Sequence, residues 1–199
     1  MRNLATLGLA ALLYGVTAWA VNPAFAGDLS AEDVAAIKEA RTGDMTKLVV
    51  HDEPKARVED TFADIEGNKI AISDYGGKII VLNFWATWCP PCRAEMPSID
   101  RLAAEMNGDD VVVLALSTDR GSIARVRGFF EEIGVENLPV IQDKRSKVAR
   151  SSAVIGLPVT LILDREGREI ARLQGEAEWD SEEVKALLAK LVEMTAPES

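Results

Sequence analysis

A near-continuous apolar run, Ile79 to Trp85, ends shortly before the cysteine pair Cys89-Pro90-Pro91-Cys92. Such a run is typical of a strand that is buried on both faces of a sheet. The residues after it carry apolar side chains at helical spacing as far as about Met106, which predicts a helix that begins at Cys89. The cysteine pair is therefore predicted to stand where a central strand ends and a helix begins.

The later pattern predicts a mixed sheet with helices on both faces, an α/β fold. A second apolar strand at 111–116 and a helix from Ser122 continue a parallel strand–helix–strand unit. The runs at 159–163 and 169–173 flank a turn and predict an antiparallel hairpin. Two short runs between residues 62 and 72 flank a turn and predict a further hairpin.

The first 26 residues are typical of a secretory signal. Arg2 is followed by an uncharged, mostly apolar stretch from Leu4 to Val21, and Ala24-Phe25-Ala26 precedes Gly27. The apolar stretch is also on the order of the length that spans a bilayer, so an uncleaved membrane anchor is the alternative. Both interpretations place the rest of the chain in the periplasm of a bacterium.

The remaining chain divides into three predicted segments. Residues 27–60 are expected to form a short helix and a charged linker that contains Pro54. Residues 61–193 carry the compact pattern of strands and helices, and residues 194–199 form a tail. The formal net charge of −10 disfavours contact with phosphate backbones, so no nucleic-acid partner is expected.

The two cysteines are too close in sequence to staple distant parts of the chain, so their chemistry is local. At the start of a helix, unpaired N–H groups and the helix dipole stabilise a thiolate. Cys89, at the exposed tip, is the expected nucleophile, and Cys92 is placed to resolve a mixed disulfide. Pro90 and Pro91 stiffen the turn between them.

Metal and haem chemistry find little support near this pair. A zinc site would need two more ligands, and the only histidine, His51, lies in the predicted linker. Covalent haem attachment would need a histidine where Arg93 stands. A Cu(I) chaperone remains an alternative because two thiolates suit that ion. No metal and no organic cofactor are expected, only a redox-active disulfide.

The stretch from Trp85 to Pro97 resembles the active site of thioredoxin-fold proteins, specifically the exported TlpA-like branch. The similarity covers about residues 60–193, including 156–160 and 175–179. It implies a thioredoxin fold with an added N-terminal hairpin. It also implies a thiol–disulfide reductase that serves cytochrome c maturation or the assembly of copper sites in respiratory oxidase.

The resemblance assigns roles to further residues. Pro158 matches the proline whose peptide bond is cis beside the cysteine pair, which would let the backbone of Leu157 pair with an extended substrate. Glu95 matches an acid near the cysteines, a candidate proton acceptor for Cys92 with a pKa raised by partial burial. The alternative for Glu95 is an acid that the helix N-terminus favours. Asn83 stands where general thioredoxins carry a buried aspartate.

The aromatic and proline residues around the pair divide by expected role. Trp88 and Pro91, together with the 157–158 dipeptide, are assigned to the surface that binds the client protein. Trp85 and Trp179 are assigned to packing because large rings are usually buried.

The predicted function is reduction of disulfides in client proteins, which include apocytochrome c or copper-site proteins, with a membrane electron donor restoring the dithiol. Oxidation of secreted proteins by the same residues is the alternative.

Overall fold

A computed structural model describes residues 29–196 as one mixed sheet with helices around it. The strands are β1 (Val49–Val50), β2 (Phe62–Asp64), β3 (Lys69–Ile70), β4 (Ile79–Trp85), β5 (Val111–Ser117), β6 (Ile141–Gln142), β7 (Val159–Leu163) and β8 (Glu169–Gln174). The helices are α1 (Ala31–Ala40), α2 (Pro90–Met106), α3 (Ala124–Ile133), α4 (Lys147–Ser151) and α5 (Glu182–Met194). Two short 3₁₀ helices span Gly43–Lys47 and Ile72–Tyr75.

The strand order is β1-β8-β7-β4-β5-β6-β2-β3. Strand β4 pairs in parallel with β5 and antiparallel with β7, which confirms the predicted mixed sheet. All seven residues of β4 are buried, because strands and helices cover both of its edges and both of its faces. The central position of β4 follows from this continuous apolar run.

Alternate residues of β4 point to opposite faces of the sheet. Ile79 and Trp85 belong to the core on the face that α1, α2, α3 and α5 cover. Ile80 and Phe84 belong to a second core, on the face that α4 and the 3₁₀ helix Ile72–Tyr75 cover. Helices therefore flank the sheet on both faces, as the pattern predicts.

Strands β2 and β3 form an antiparallel pair in which Phe62 lies opposite Ile70. Strand β2 also pairs with β6, so this pair extends the sheet at the edge next to β6. Phe62 is buried in the core beneath α4.

Residues 43–50, in the first part of the predicted linker, form a 3₁₀ helix and a strand that contribute to the core and the sheet. Val49 and Val50 form β1, which pairs antiparallel with β8. Met45 and Leu48 are almost fully buried, with exposed fractions of 2% and 1%. The apolar residues of this segment are spaced irregularly among charged ones, so they show no helical or strand periodicity. The strand that pairs with β1 lies more than a hundred residues away in sequence, so no local pattern indicates the pairing.

The predicted signal or anchor at residues 1–26 lies outside the described residues. Between residues 29 and 196, no helix has the length and apolar character needed to cross a membrane. Helix α5 ends at Met194, so the predicted tail overlaps its last residue, and residues 197–199 lie outside the described part.

The burial of the N-terminal segment predicts a sharp contrast between two neighbouring residues. Leu48→Ala is expected to lower the free energy of unfolding by about 2–5 kcal/mol, because it leaves a cavity in the core. Val49→Ala, at a side chain that is 57% exposed, is expected to change it by about 0.5 kcal/mol or less. Urea denaturation measures both; equal effects would mean that this segment is not part of the cooperative core.

Candidate active site

The cysteine pair lies at the first turn of α2. Cys89 is the N-cap residue, and Pro90 and Pro91 occupy the first two helical positions, where a missing N–H costs nothing. The sulfurs of Cys89 and Cys92 are joined in a disulfide. The backbone N–H of Cys92 donates to the sulfur of Cys89 at 3.4 Å. A thiolate at Cys89 would accept the same hydrogen bond at the positive end of the helix dipole.

The expectation that Cys89 lies at an exposed tip is wrong. Its exposed fraction is 3%, and Cys92 is fully buried. The disulfide draws the sulfur of Cys89 toward Cys92, and both belong to the core beneath α2. The exposed group at this position is the neighbouring Trp88, whose exposed fraction is 68%.

The peptide bond between Leu157 and Pro158 is cis, as the resemblance implies. Val159, the first residue of β7, pairs with Phe84 near the end of β4. Because the two strands are antiparallel, the start of β7 lies beside the end of β4. The dipeptide before β7 and the residues after β4 are therefore close together at one end of these central strands. Leu157 and Trp88 line one cleft there.

Asp119 anchors the loop that carries the cysteines, a role that sequence analysis missed. Its buried carboxylate accepts hydrogen bonds from the backbone N–H of Thr87 at 2.9 Å and from the hydroxyl of that residue at 2.8 Å. The hydroxyl of Ser117, at the end of β5, also donates to it at 2.8 Å. The loop is thereby tied to the strand that runs parallel to β4. An acid two residues after a buried strand was the available signal.

Glu95 lies one turn after Cys92 on α2 and is 4% exposed. One carboxylate oxygen accepts from the side-chain amide of Asn83 at 2.9 Å. The other accepts from the backbone N–H of Ala177 at 3.2 Å and from the indole N–H of Trp179 at 3.0 Å. Burial raises the pKa of Glu95 to about 7, against the opposing effect of these three hydrogen bonds. A carboxyl group with this pKa can exchange a proton near neutral pH.

Asn83 supplies a neutral donor where an aspartate would repel the carboxylate of Glu95. Its amide nitrogen contacts Glu95 and also donates to the hydroxyl of Thr160 at 2.9 Å. Its carbonyl oxygen is buried and has no hydrogen-bond partner among the described residues.

The assignment of both buried tryptophans to packing holds for only one of them. Trp85 stacks on Phe130, with ring centroids 5.3 Å apart, and its indole N–H has no partner in the described part of the chain. Trp179 is equally buried, but its N–H donates to Glu95. A buried indole N–H normally requires an acceptor, and this was the signal that sequence analysis passed over.

Glu95 also lines a cavity of about 390 Å³. The other charged side chains of this cavity are Asp44, Lys47, Glu176 and Glu178. Asp44 accepts a hydrogen bond from the backbone N–H of Glu178 at 3.0 Å, so the N-terminal segment forms one wall. The buried carboxyl group therefore lies at the wall of a cavity that is lined mainly by charged side chains.

Among residues 29–196, no group of three or more histidine, cysteine, aspartate or glutamate side chains is arranged to hold a metal ion.

The sequence profile described as the AhpC/TSA family matches residues 52–171. The thiol-disulfide oxidoreductase ResA of Bacillus thuringiensis subsp. konkukian is 37% identical over 113 residues, which are 57% of this chain and 64% of that protein. The chain thus spans less than two thirds of that relative. The ResA of Bacillus anthracis is 35% identical over 128 residues, or 64% of this chain and 72% of the relative.

A solved structure supports the thioredoxin fold. The exposed lipoprotein thioredoxin Etrx1 from Streptococcus pneumoniae has a TM-score of 0.56 and 30% sequence identity. The similarity covers 68% of this chain and 98% of that protein.

The burial of Glu95 predicts a pH-dependent stability. The folded protein keeps this carboxyl group protonated up to a pKa of about 7, whereas an unfolded glutamate ionises near 4.5. Folding therefore loses stability as the pH rises between these values, by on the order of 3 kcal/mol. Glu95→Gln removes this loss, so its stability relative to the wild type should rise between pH 4 and pH 8. Urea denaturation at both pH values measures the difference, and a constant difference contradicts the prediction.

The indole hydrogen bond predicts a second, matched pair of variants. Trp179→Phe removes a donor that stabilises ionised Glu95, so the pKa of this carboxyl group should rise by roughly one unit. Trp85→Phe is the control, because its indole N–H has no partner among residues 29–196. Titration of the carboxyl carbon by NMR reads out both. A shift of equal size in the two variants would assign the effect to lost packing.

Proposed function

The chain belongs to the AhpC/TSA family, and from that premise we propose that it is a thiol–disulfide oxidoreductase of the TlpA-like branch that reduces disulfides in partner proteins. The single observation that carries the proposal is the disulfide at the N-terminus of α2 with a buried, protonatable carboxyl group one turn behind it. A disulfide that only stabilised the fold would not require a proton-exchanging carboxyl group beside it.

The proposed reaction begins with both cysteines reduced. The thiolate of Cys89 attacks one sulfur of the client disulfide, forms a mixed disulfide and expels the other client sulfur as a thiolate. Cys92 then attacks the sulfur of Cys89 and releases the second client thiolate. Two electrons pass to the client, and the oxidised pair is the disulfide between Cys89 and Cys92.

Glu95 is proposed to accept the proton of Cys92 in the second step. The two residues lie on the same side of α2, three positions apart, and both are buried. A buried thiol resists ionisation because the thiolate is poorly solvated, so a nearby base lowers the barrier. The pKa of about 7 suits Glu95 to this exchange, and its cavity gives the proton an outlet.

Client binding is proposed at the end of the central strands where Leu157 and Pro158 precede β7. The cis peptide bond turns the backbone there, and the exposed ring of Trp88 borders the same cleft. Pro91, within the first turn of α2, completes the proposed contact surface.

The setting is proposed to be the periplasm, on the pattern of residues 1–26, with either a cleaved signal or a retained anchor. A membrane electron donor would restore the dithiol. The proposed clients are apocytochrome c or copper-site proteins of respiratory oxidase, on the resemblance to the TlpA-like branch.

The equilibrium potential of the cysteine pair separates reductase from oxidase. A value near or below about −200 mV supports the reductase, and a value near about −120 mV overturns it in favour of an oxidase. Equilibration with glutathione buffers, read out by alkylation of free thiols, measures the potential.

Two cysteine variants are expected to differ in kind. Cys89→Ser should lose all reduction of disulfide substrates because the nucleophile is absent. Cys92→Ser should still attack but should accumulate the mixed disulfide, which mass spectrometry detects as an adduct of substrate mass. Full activity in Cys89→Ser, or an adduct on Cys92 instead of Cys89, would contradict the mechanism.

A further inference from the structure

A cleft of about 210 Å³ adjoins the cysteine loop. Its lining includes Trp88, Ser146, Arg150, Ile155 and Leu157, and we refer to these five residues as the docking cleft. Three large apolar side chains are exposed among residues 29–196, and two of them lie here: Trp88 at 68% and Ile155 at 95%. Exposed apolar side chains that are clustered mark interaction surfaces more often than isolated ones do.

One side of the docking cleft is basic, in a protein whose formal net charge is −10. Four basic residues fall within the seven positions 144–150, and we call them the basic segment: Lys144, Arg145, Lys147 and Arg150. All four are exposed. Lys147 and Arg150 belong to α4, and Arg150 lines the docking cleft. The charges of the basic segment therefore lie next to this cleft.

Nearby acids offset only part of the charge of this segment. The carboxylate of Asp143 is buried and accepts from the backbone N–H groups of Lys147 and Ala149, at 2.8 and 3.0 Å. Asp60 pairs with Lys147 at 2.6 Å. The charge of Asp60 also acts on Arg150, whose guanidinium donates to the backbone carbonyl of Arg145 at 2.5 Å. No ion pair found between residues 29 and 196 involves Lys144 or Arg145. Positive charge therefore remains available at the rim.

We infer that the docking cleft binds an extended client segment that carries an apolar residue and acidic residues next to its reducible cysteine. The inference rests on the proposed function and adds the chemistry of the client. The apolar side chain packs between Trp88 and Ile155, and the acidic side chains face Arg150. Charge complementarity at such a rim mainly raises the association rate and selects the partner.

Two synthetic peptides test this inference. They share one cystine loop followed by leucine and differ only in carrying two aspartates or two asparagines after it. The reduced wild-type protein should reduce the aspartate peptide roughly tenfold faster at low ionic strength, and the ratio should fall toward one as salt screens the charges. Stopped-flow measurement of the second-order rate constants reads out both peptides.

Matched variants locate the effect. Arg150→Glu should abolish or reverse the preference for the aspartate peptide. Lys190→Glu makes the same charge change on α5, which packs on the opposite face of the sheet from α4, and should keep the preference. Ile155→Ser should slow the reduction of both peptides and leave their ratio unchanged, because it removes apolar contact and no charge.

The outcomes separate the two proposals. Equal rates for the two peptides in the wild type, or loss of the preference in Lys190→Glu as well, would overturn the inference about the client. Failure to reduce either peptide and the small neutral substrate hydroxyethyl disulfide would instead overturn the proposed function.

Discussion

The rest of the site depends on the hydrogen bonds that the buried carboxyl group of Glu95 accepts. A carboxylate that is removed from water costs several kcal/mol unless hydrogen bonds replace its hydration. Here Asn83 on β4 and the segment after β8, through Ala177 and Trp179, supply three donors. These contacts join the centre of the sheet, helix α2 and the approach to α5. The same burial sets a pKa near neutrality, so structural and chemical requirements coincide in one group.

The position of the cysteines follows from the pairing of β4 on both edges. Its parallel neighbour β5 leads to Asp119, which ties down Thr87 just before the pair. Its antiparallel neighbour β7 begins directly after the cis dipeptide that ends at Pro158. The nucleophile and the proposed client-binding dipeptide are therefore held by adjacent strands of one sheet. Precise placement of reacting groups is a large part of catalysis, and regular elements hold it better than free loops do.

The N-terminal segment belongs to this arrangement because it closes the side of the protein next to Glu95. Strand β1 extends the sheet beyond β8, and Met45 and Leu48 fill the core. Asp44 accepts from the backbone of Glu178, in the same segment that supplies donors to Glu95. Lys47, paired with Asp44 at 2.6 Å, lines the cavity that the carboxyl group reaches. The same short stretch of chain thus fills part of the core and lines the cavity at Glu95.

Sequence alone determined the features that depend on local pattern: the buried central strand, the helix that begins at the cysteine pair, and the mixed sheet around them. Periodicity and capping act over a few residues, so they can be read without partners. Tertiary structure alone decided the burial of Cys89, the joining of β1 to the sheet, and the donors to Glu95. Trp179 lies 84 positions from the carboxylate it contacts, and Asp119 lies 32 positions from Thr87. Contacts over such separations arise only when the sheet has brought its strands together, because no local pattern encodes them.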